Sequence, residues 1–158
     1  MERTRLKTPL GIAEITGDEN GVSGITISDM EEDFMEQDVP NVLIPAVTQL
    51  KRYFAGDLKS FDLKINPSGT SFQKKVWLAL CDIPFGTTTS YYQISKDLGD
   101  IKAIRAVAGA NGRNPLWIII PCHRVIGSDG SLTGYAGGLW RKKWLLEHEN
   151  PPSQQSLF

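Results

Sequence analysis

Cysteine and histidine are scarce in this chain of 158 residues, which contains two of each. The two cysteines, Cys81 and Cys122, are too few for the disulfide framework that holds many small secreted domains together. Together with His123 and His148 they show none of the ligand spacings typical of a zinc site. We therefore expect no disulfide framework, no metal and no other cofactor.

Long apolar runs are also missing, since no stretch approaches the roughly 20 apolar residues that a membrane-spanning helix needs. The first nine residues, Met1–Pro9, are polar and basic and lack the apolar segment of a secretory signal. The sequence predicts a cytoplasmic protein with no membrane partner.

The whole chain lacks a large excess of either charge, since its net charge is −1. Each half of the chain, however, has an excess of one sign. Residues 1–70 carry seven basic and twelve acidic side chains, a net charge of −5, whereas residues 71–158 carry ten and six, a net charge of +4. A polyanion would therefore meet the second half. An acidic lobe beside a mildly basic one has the same charges, so charge alone does not establish such a partner.

The first half of the chain has the pattern of strands followed by a helix. Leu10–Thr16 and Val22–Ser28 are β-prone and are separated by a turn-rich segment. From Val42 the apolar residues fall at helical spacing, as far as Gly56. Phe61–Ile65 predicts one more strand.

The second half has a mainly helical pattern. Ser71 is the predicted N-cap of a first helix, and Ser90 is the predicted N-cap of a second, short one. A third helix from Lys102 to about Ala110 would complete a helix-turn-helix. Leu139–Glu149 predicts the last helix.

These patterns predict an α/β fold of the α+β type. Residues 1–66 would form a small strand-rich N-terminal α/β lobe with one helix. Residues 67–150 would form a mainly helical domain that contains the helix-turn-helix, and residues 151–158 a flexible tail.

A cysteine and a histidine stand together at the end of the apolar run Leu116–Ile120. A free thiol is only a few per cent ionised at neutral pH, so a nucleophilic Cys122 needs a base, and His123 is placed to act as one. A buried carboxylate would orient the imidazole, and Glu149 is one candidate. An inert core cysteine beside a polar histidine would show the same pair, so the pair alone does not establish catalysis.

A longer series of motifs surrounds this pair, from Phe72 to Glu149. In chain order they are Phe72-Gln73, Val76-Trp77, Gly86, Ser90-Tyr91, Arg105-Ala106-Val107, Asn114-Pro115, Ile120–Val125, Gly134-Tyr135, Gly137-Gly138, Trp144–Leu146 and His148-Glu149. With these motifs about half of the chain closely resembles the O6-alkylguanine-DNA alkyltransferases. The first 70 residues resemble that family only loosely, chiefly through Thr8–Gly11.

The resemblance implies DNA repair by direct damage reversal, in which Cys122 irreversibly accepts one alkyl group from O6-alkylguanine. His123 would take the thiol proton through a water, with Glu149 behind it. Tyr91 would protonate the leaving guanine, and Asn114 would hold the turn before the cysteine. A tyrosine that only packs in the helix-turn-helix is the alternative for Tyr91.

The resemblance also implies a duplex DNA partner that is bound by its minor groove. The damaged guanine must be flipped out to reach a buried thiol, and Arg105 matches the residue that fills the vacated space. Ala106, Ser90 and Arg124 are further predicted DNA contacts. Small residues on this helix would also be explained by compact packing.

The predicted substrate pocket contains Val125, Tyr135, Ala136 and Trp117. Ala136 stands where some relatives have a hydroxyl or larger group, and Trp117 is larger than the resemblance leads us to expect. The range of alkyl groups, and O4-alkylthymine as a second substrate, therefore stay open. Cys81 has no counterpart in the family, and we expect it to be a core residue.

Two other classes of function use similar residues. Alkyltransferase-like relatives bind alkylguanine without reacting and flag the damage for another pathway, but they carry tryptophan in place of the cysteine. A cysteine hydrolase would use the same Cys-His pair and would turn over. Cys122 argues against the first class, and the adjacent pairing of Cys122 and His123 argues against a papain-like protease.

The C-terminal residues form a separate motif. Gln154, Leu157 and Phe158 resemble the short peptide by which bacterial repair proteins dock on the sliding clamp. If this motif docks a clamp, the protein is bacterial and is delivered to newly replicated DNA. We also expect a monomer that is associated with the nucleoid while it acts. The alternative is a tail that packs on its own domain or has no function.

Overall fold

The structure is a computed structural model, and it describes residues 1–151. The chain divides into two compact units. The first unit contains Met1–Ser68 and the three residues Pro115–Trp117. The second contains Gly69–Asn114 and the chain from Ile118 onward.

The first unit is built on a three-stranded antiparallel sheet in the order β1-β2-β3. The strands are β1 (Glu2–Thr8), β2 (Gly11–Asp18) and β3 (Gly21–Ser28). The sequence predicted β2 and β3 but missed β1, in which two of the three inward-facing residues are threonines rather than apolar residues. Thr4, Leu6 and Thr8 point into the core, whereas the charged side chains between them do not.

A helix follows the sheet, as predicted. A 3-10 turn at Asn41–Leu43 leads into α1 (Ile44–Phe54), which buries one apolar face. That face consists of Ala46, Val47, Leu50 and Tyr53. Its spacing of three and four residues is the reason why the helix was visible in the sequence.

The predicted strand Phe61–Ile65 is wrong in extent, because only Ile65 forms a bridge, with Val22 of β3. The backbone groups of Asp62 are bonded by a side chain instead. The Gln49 amide donates to the Asp62 carbonyl at 2.9 Å and accepts from the Asp62 N–H at 2.8 Å. These two bonds replace those of a neighbouring strand.

Three residues from the second half of the sequence complete the first unit. Ile25 of β3 donates to the Pro115 carbonyl at 2.8 Å and accepts from the Trp117 N–H at 3.2 Å. The sequence-based division at residue 66 did not anticipate this pairing.

The second unit begins with α2 (Ser71–Leu80). Its N-cap is Thr70, which corrects the prediction of Ser71. The Thr70 hydroxyl accepts from the Gln73 N–H at 3.1 Å, and the Gln73 side chain accepts from the Thr70 N–H at 2.9 Å. This reciprocal capping box satisfies two amide groups, which explains why the helix begins one residue earlier than predicted.

A helix-turn-helix follows, as predicted. It consists of α3 (Tyr91–Asp97), a 3-10 turn at Ile101–Ala103 and α4 (Ile104–Gly112). The short strand β4 (Thr89–Ser90) directly precedes it. The Ser90 hydroxyl caps α3 by accepting from the Gln93 N–H at 3.0 Å. The Trp77 indole donates to the Ala110 carbonyl at 2.8 Å and so joins α2 to α4.

The remaining elements are β5 (Val125–Ile126) and α5 (Leu139–Glu149), the last helix at its predicted bounds. The strand β5 pairs in parallel with β4, in the register Thr89–Val125 and Ser90–Ile126. This pairing places the start of α3 beside the segment that follows the cysteine. Among the described residues, no helix is both long and apolar enough to cross a membrane.

Candidate active site

Cys122 lies at the start of a 3-10 turn, Cys122–Arg124, and only 4% of it is exposed. Two asparagines from the end of the helix-turn-helix hold this segment. The Asn114 amide donates to the Ile120 carbonyl at 2.7 Å, and the Asn111 amide donates to the Cys122 carbonyl at 3.5 Å. Asn114 therefore bonds the turn before the cysteine, and Asn111 is a contact that the sequence reasoning missed.

The backbone of the same segment is strained at Ile118, whose φ is +76°. A β-branched residue adopts this conformation only when its surroundings enforce it, at a cost of about 1–3 kcal/mol. The side chain of Ile118 is buried, which supplies that enforcement.

His123 and Glu149 form a buried pair. His123 Nε2 lies 2.7 Å from Glu149 Oε2, and neither side chain has appreciable exposure. Burial opposes ionisation of Glu149, but hydrogen bonds from His123 and Arg124 outweigh it and hold the pKa of the carboxyl well below its usual range. Burial lowers the pKa of His123, against the opposing effect of Glu149, so the imidazole is neutral at neutral pH.

This pair determines the tautomer of the imidazole. An ionised carboxylate only accepts, so His123 Nε2 carries the proton and Nδ1 keeps its lone pair. Among the described residues, Nδ1 has no hydrogen-bond partner. The buried histidine is therefore prepared to accept a proton at Nδ1.

The Cys122 thiol is protonated in the resting site. Burial raises its pKa to about 11, although Asn114, Lys142 and Tyr135 act in the opposite direction. A thiol with such a pKa needs a base to become a nucleophile, and the adjacent histidine is neutral and able to serve.

Tyr91 is the first residue of α3 in the second unit. Its hydroxyl is 2.9 Å from the Thr133 hydroxyl, in the loop between β5 and α5. The β4–β5 pairing positions this tyrosine next to the segment that carries the cysteine. The described contacts thus bring together a buried thiol and a neutral imidazole with an ionised carboxylate behind it, whereas the role of Tyr91 stays a prediction.

Comparison with known proteins establishes the family of this chain. Residues 71–151 match the family model described as 6-O-methylguanine DNA methyltransferase, DNA binding domain, and residues 1–67 match that described as the ribonuclease-like domain of the same family. The chain belongs to the 6-O-methylguanine DNA methyltransferase family. The predicted resemblance is therefore confirmed, and so is the α+β fold.

Individual relatives support the assignment along the whole chain. The methylated-DNA–protein-cysteine methyltransferase of Methanosarcina barkeri is 47% identical over 150 residues, which cover 91% of this chain and 94% of the relative. The crystal structure of Mycobacterium tuberculosis O6-methylguanine methyltransferase has a TM-score of 0.82 and 41% identity and covers 99% of this chain and 98% of the other. The Mycobacterium tuberculosis OGT structure in complex with DNA has a TM-score of 0.85 and 42% identity and covers 94% and 92%.

One predicted DNA contact of this methyltransferase-family chain needs correction. Arg124 is buried, and its guanidinium donates to Glu149 Oε1 at 2.8 Å, to Glu149 Oε2 at 3.0 Å and to the Ile83 carbonyl at 2.7 Å. A phosphate contact would require these bonds to break. Arg124 is therefore a buried partner of Glu149, because the carboxylate 25 residues away draws it inward.

The other predicted DNA contacts lie on the helix-turn-helix. Arg105 and Ala106 are exposed on α4, where they are free to meet a partner. Ser90 is half-buried, and its hydroxyl already caps α3. Its predicted contact with DNA would add to this capping role.

The predicted pocket residues are placed unequally. Val125 is buried, Tyr135 is half-buried with its phenol close to the Cys122 thiol, and Ala136 is exposed. Trp117 belongs to the first unit, through its pairing with β3. Its place in the pocket, and those of the other three, stay predictions.

A buried lysine was missed by the sequence reasoning. Lys142 is 0% exposed, and its ammonium donates to the Val125 carbonyl at 2.6 Å and to the Thr133 carbonyl at 3.1 Å. The signal was present, since Lys142, Leu145 and Glu149 stand at the i, i+3, i+7 spacing of one helix face. Because lysine is seldom buried, the sequence pattern did not assign Lys142 to this buried face of the helix.

Cys81 is exposed, which corrects its prediction as a core residue. It follows the last residue of α2, and the one-residue step from buried Leu80 turns it away from the core. Among residues 1–151 no group of three His, Cys, Asp or Glu side chains could hold a metal ion. The predicted clamp motif, Gln154 with Leu157 and Phe158, lies outside the described residues.

Proposed function

We propose that this protein repairs DNA by moving one alkyl group from O6-alkylguanine to Cys122, irreversibly and once per molecule. The observation that carries the proposal is the buried Cys122 next to a neutral His123, whose Nε2 is held by ionised Glu149 and whose Nδ1 has a free lone pair. Family membership and the activity for which the relatives are named support it.

The reaction balances with the groups in the site. His123 Nδ1 takes the Cys122 proton, directly or through a water. The sulfur forms a bond to the alkyl carbon as the carbon–O6 bond breaks, and the electron pair of the broken bond stays on guanine. Tyr91 donates its proton to the guanine and regains one from the imidazolium by way of solvent. The product thioether is inert, so nothing regenerates the thiol.

Access to the base requires DNA binding and nucleotide flipping. The structurally similar Mycobacterium tuberculosis protein was crystallised with DNA, and we extend that partner to this chain. Exposed Arg105 on α4 would enter the minor groove and fill the space of the flipped guanine. The protein would act as a cytoplasmic monomer on the nucleoid.

Intact mass spectrometry tests the alkyl transfer. After incubation with duplex DNA that contains O6-methylguanine, the protein should gain one methyl group, about 14 Da, on Cys122, because a thiolate is the strong soft nucleophile of the site. Cys122→Ser should gain nothing and should still bind the duplex. A non-reacting damage-binding protein would show binding without a mass gain, and a hydrolase would process many substrates per molecule.

The clamp motif is a separate proposal that rests on sequence. A peptide of residues 150–158 should bind a bacterial sliding clamp in a fluorescence titration, because Leu157 and Phe158 offer apolar anchors beside the Gln154 amide. The same peptide with both Leu157→Ala and Phe158→Ala is the control. If the two peptides bind equally, or if neither binds, the proposal of clamp docking is wrong. The proposal of alkyl transfer does not depend on this result.

A further inference from the structure

Thr133 makes a hydrogen bond that the reaction scheme above does not use. It lies in the β5–α5 loop, residues 127–138, and its hydroxyl is 2.9 Å from the hydroxyl of Tyr91, the proposed proton donor. In the described part of the chain, neither hydroxyl has another hydrogen-bond partner. The position of the Tyr91 phenol therefore depends on Thr133.

The backbone of Thr133 is fixed by hydrogen bonds. Before it, the Gly127 N–H donates to the Ser131 carbonyl at 2.9 Å and closes a tight turn. The Thr133 carbonyl accepts from the Lys142 ammonium at 3.1 Å, and the same ammonium donates to the Val125 carbonyl at 2.6 Å. Thr133 is therefore tied both to α5 and to β5.

Tyr91 is connected to the same elements through the strand pair. Thr89 of β4, two residues before Tyr91, pairs with Val125 of β5, and Val125 is the residue that Lys142 also bonds. The contact between Tyr91 and Thr133 closes this ring of contacts, which runs through β4, β5, α5 and the loop. Because the ring is closed, the Thr133 hydroxyl is already in place before the reaction starts.

The two hydroxyls differ in their chemistry. A phenol gives up its proton far more readily than an aliphatic alcohol, so Tyr91 is the acid of the pair. As Tyr91 gives its proton to the leaving guanine, negative charge develops on the phenol oxygen. The hydroxyl proton of Thr133 is able to rotate toward that oxygen, and a hydrogen bond to an ionised acceptor is roughly twice as strong as one between neutral groups.

We propose that Thr133 is a positioning residue for the alkyl transfer, whose hydroxyl orients the Tyr91 phenol and donates a hydrogen bond to the phenol oxygen as that oxygen becomes negative. This inference rests on the proposed function, in which Tyr91 protonates the leaving guanine. The O–H bond of Tyr91 breaks, and its proton forms a new bond to the guanine ring. Thr133 keeps its own proton throughout, and Tyr91 regains one from the imidazolium by way of solvent.

Single-turnover methyl transfer from a saturating concentration of O6-methylguanine duplex tests the inference. Thr133→Val keeps the shape of the side chain and removes the hydroxyl. It should slow transfer by about tenfold or more, because a hydrogen bond to a charged oxygen is lost. Thr133→Ser should restore most of the rate. Thr26→Val, which removes an exposed hydroxyl from β3, should leave the rate unchanged.

Two further measurements separate this role from a purely structural one. With Tyr91→Phe already present, Thr133→Val should slow transfer no further, because the threonine acts through the phenol. With Cys81→Ser as the background, Cys122 is the single thiol. Iodoacetamide should then alkylate Cys122 equally fast with and without Thr133→Val, because iodide leaves without needing a proton. A loop that had merely moved would slow both reactions.

Three results would overturn the inference. The first is a folded Thr133→Val protein that transfers methyl at the unmodified rate. The second is the same slowing by Thr133→Val whether or not the Tyr91 hydroxyl is present, and the third is equal slowing of methyl transfer and of iodoacetamide alkylation. If Thr133→Val does not fold, Thr133→Ala, whose smaller side chain fits the same space, carries the same expectations.

The two proposals fail in different ways. Urea unfolding detects the contact without the reaction, since the effects of Tyr91→Phe and Thr133→Val on stability should be non-additive where the two hydroxyls meet. If the unmodified protein transfers no methyl group while unfolding shows this coupling, the proposed function is wrong, and with it the role of Thr133 in transfer, although the contact stands. If transfer occurs and its rate does not depend on Thr133, the inference is wrong and the function stands.

Discussion

Glu149 serves two buried partners with one carboxylate. One oxygen holds His123 at 2.7 Å, and both oxygens are bonded by Arg124, at 2.8 and 3.0 Å. The first contact fixes the imidazole tautomer, and the second compensates a guanidinium that would otherwise be buried alone. At the residue scale, the proposed catalysis and the stability therefore depend on the same side chain.

Glu149→Gln should accordingly change both properties. Loss of the charge leaves Arg124 unpaired, at a cost of about 3–5 kcal/mol in the free energy of unfolding. It also removes the group that orients His123 as a base, so single-turnover methyl transfer should slow by about a hundredfold or more. Glu147→Gln, with the same charge change on the exposed face of α5, should do neither. Equal melting temperatures and rates for the two variants would refute the role of Glu149.

The same pair makes a signed prediction about pH. A carboxyl whose pKa is depressed in the folded protein contributes stability above its ordinary pKa of 4.5, and the contribution is lost as the pH falls toward the folded pKa. Urea unfolding between pH 7 and pH 3 should therefore show a steep acid loss in the unmodified protein. In Glu149→Gln that loss should be visibly shallower.

At the scale of elements, the helices and the cysteine motif were the predictable part. The α1 and α5 helices show apolar residues at helical spacing. The resemblance to the alkyltransferases identified Cys122 and His123. The strand β1 was missed because two of its three inward-facing residues, Thr4 and Thr8, are polar, so that the sequence shows no alternation of apolar residues. Arg124 was misplaced and Lys142 overlooked for one reason, namely that the burial of a cation depends on partners distant in the sequence. Those partners are Glu149 for Arg124 and the Thr133 carbonyl for Lys142.

The α4 helix supplies the element-scale prediction. Its exposed Arg105 is proposed to occupy the space of a flipped guanine, a role that exists only in a duplex. Arg105→Ala should slow repair of duplex DNA by tenfold or more and leave the reaction with free O6-benzylguanine nearly unchanged. Arg113→Ala, an exposed arginine at the end of the same helix, is the control. Equal slowing on both substrates would mean that Arg105 supports the fold instead.

At the scale of the whole molecule, the uneven charge distribution decides how the protein meets DNA. The chain is weakly acidic, with a net charge of −1, so no overall attraction draws it to a polyanion. Residues 71–158 nevertheless carry +4, and they contain the matched DNA binding domain. Contacts to phosphates should therefore come from this half alone, and they should release few counterions.

A salt titration tests this division. The logarithm of duplex affinity should fall linearly with the logarithm of salt concentration, with a slope of about 0.9 for each phosphate contacted. Lys102→Gln, at an exposed position before α4, should reduce that slope by about 1, because one contact is lost. Lys59→Gln removes the same charge from the acidic half, also at an exposed position, and should leave the slope as it is. A slope that responds equally to both changes would show that net charge, rather than the basic half, governs binding.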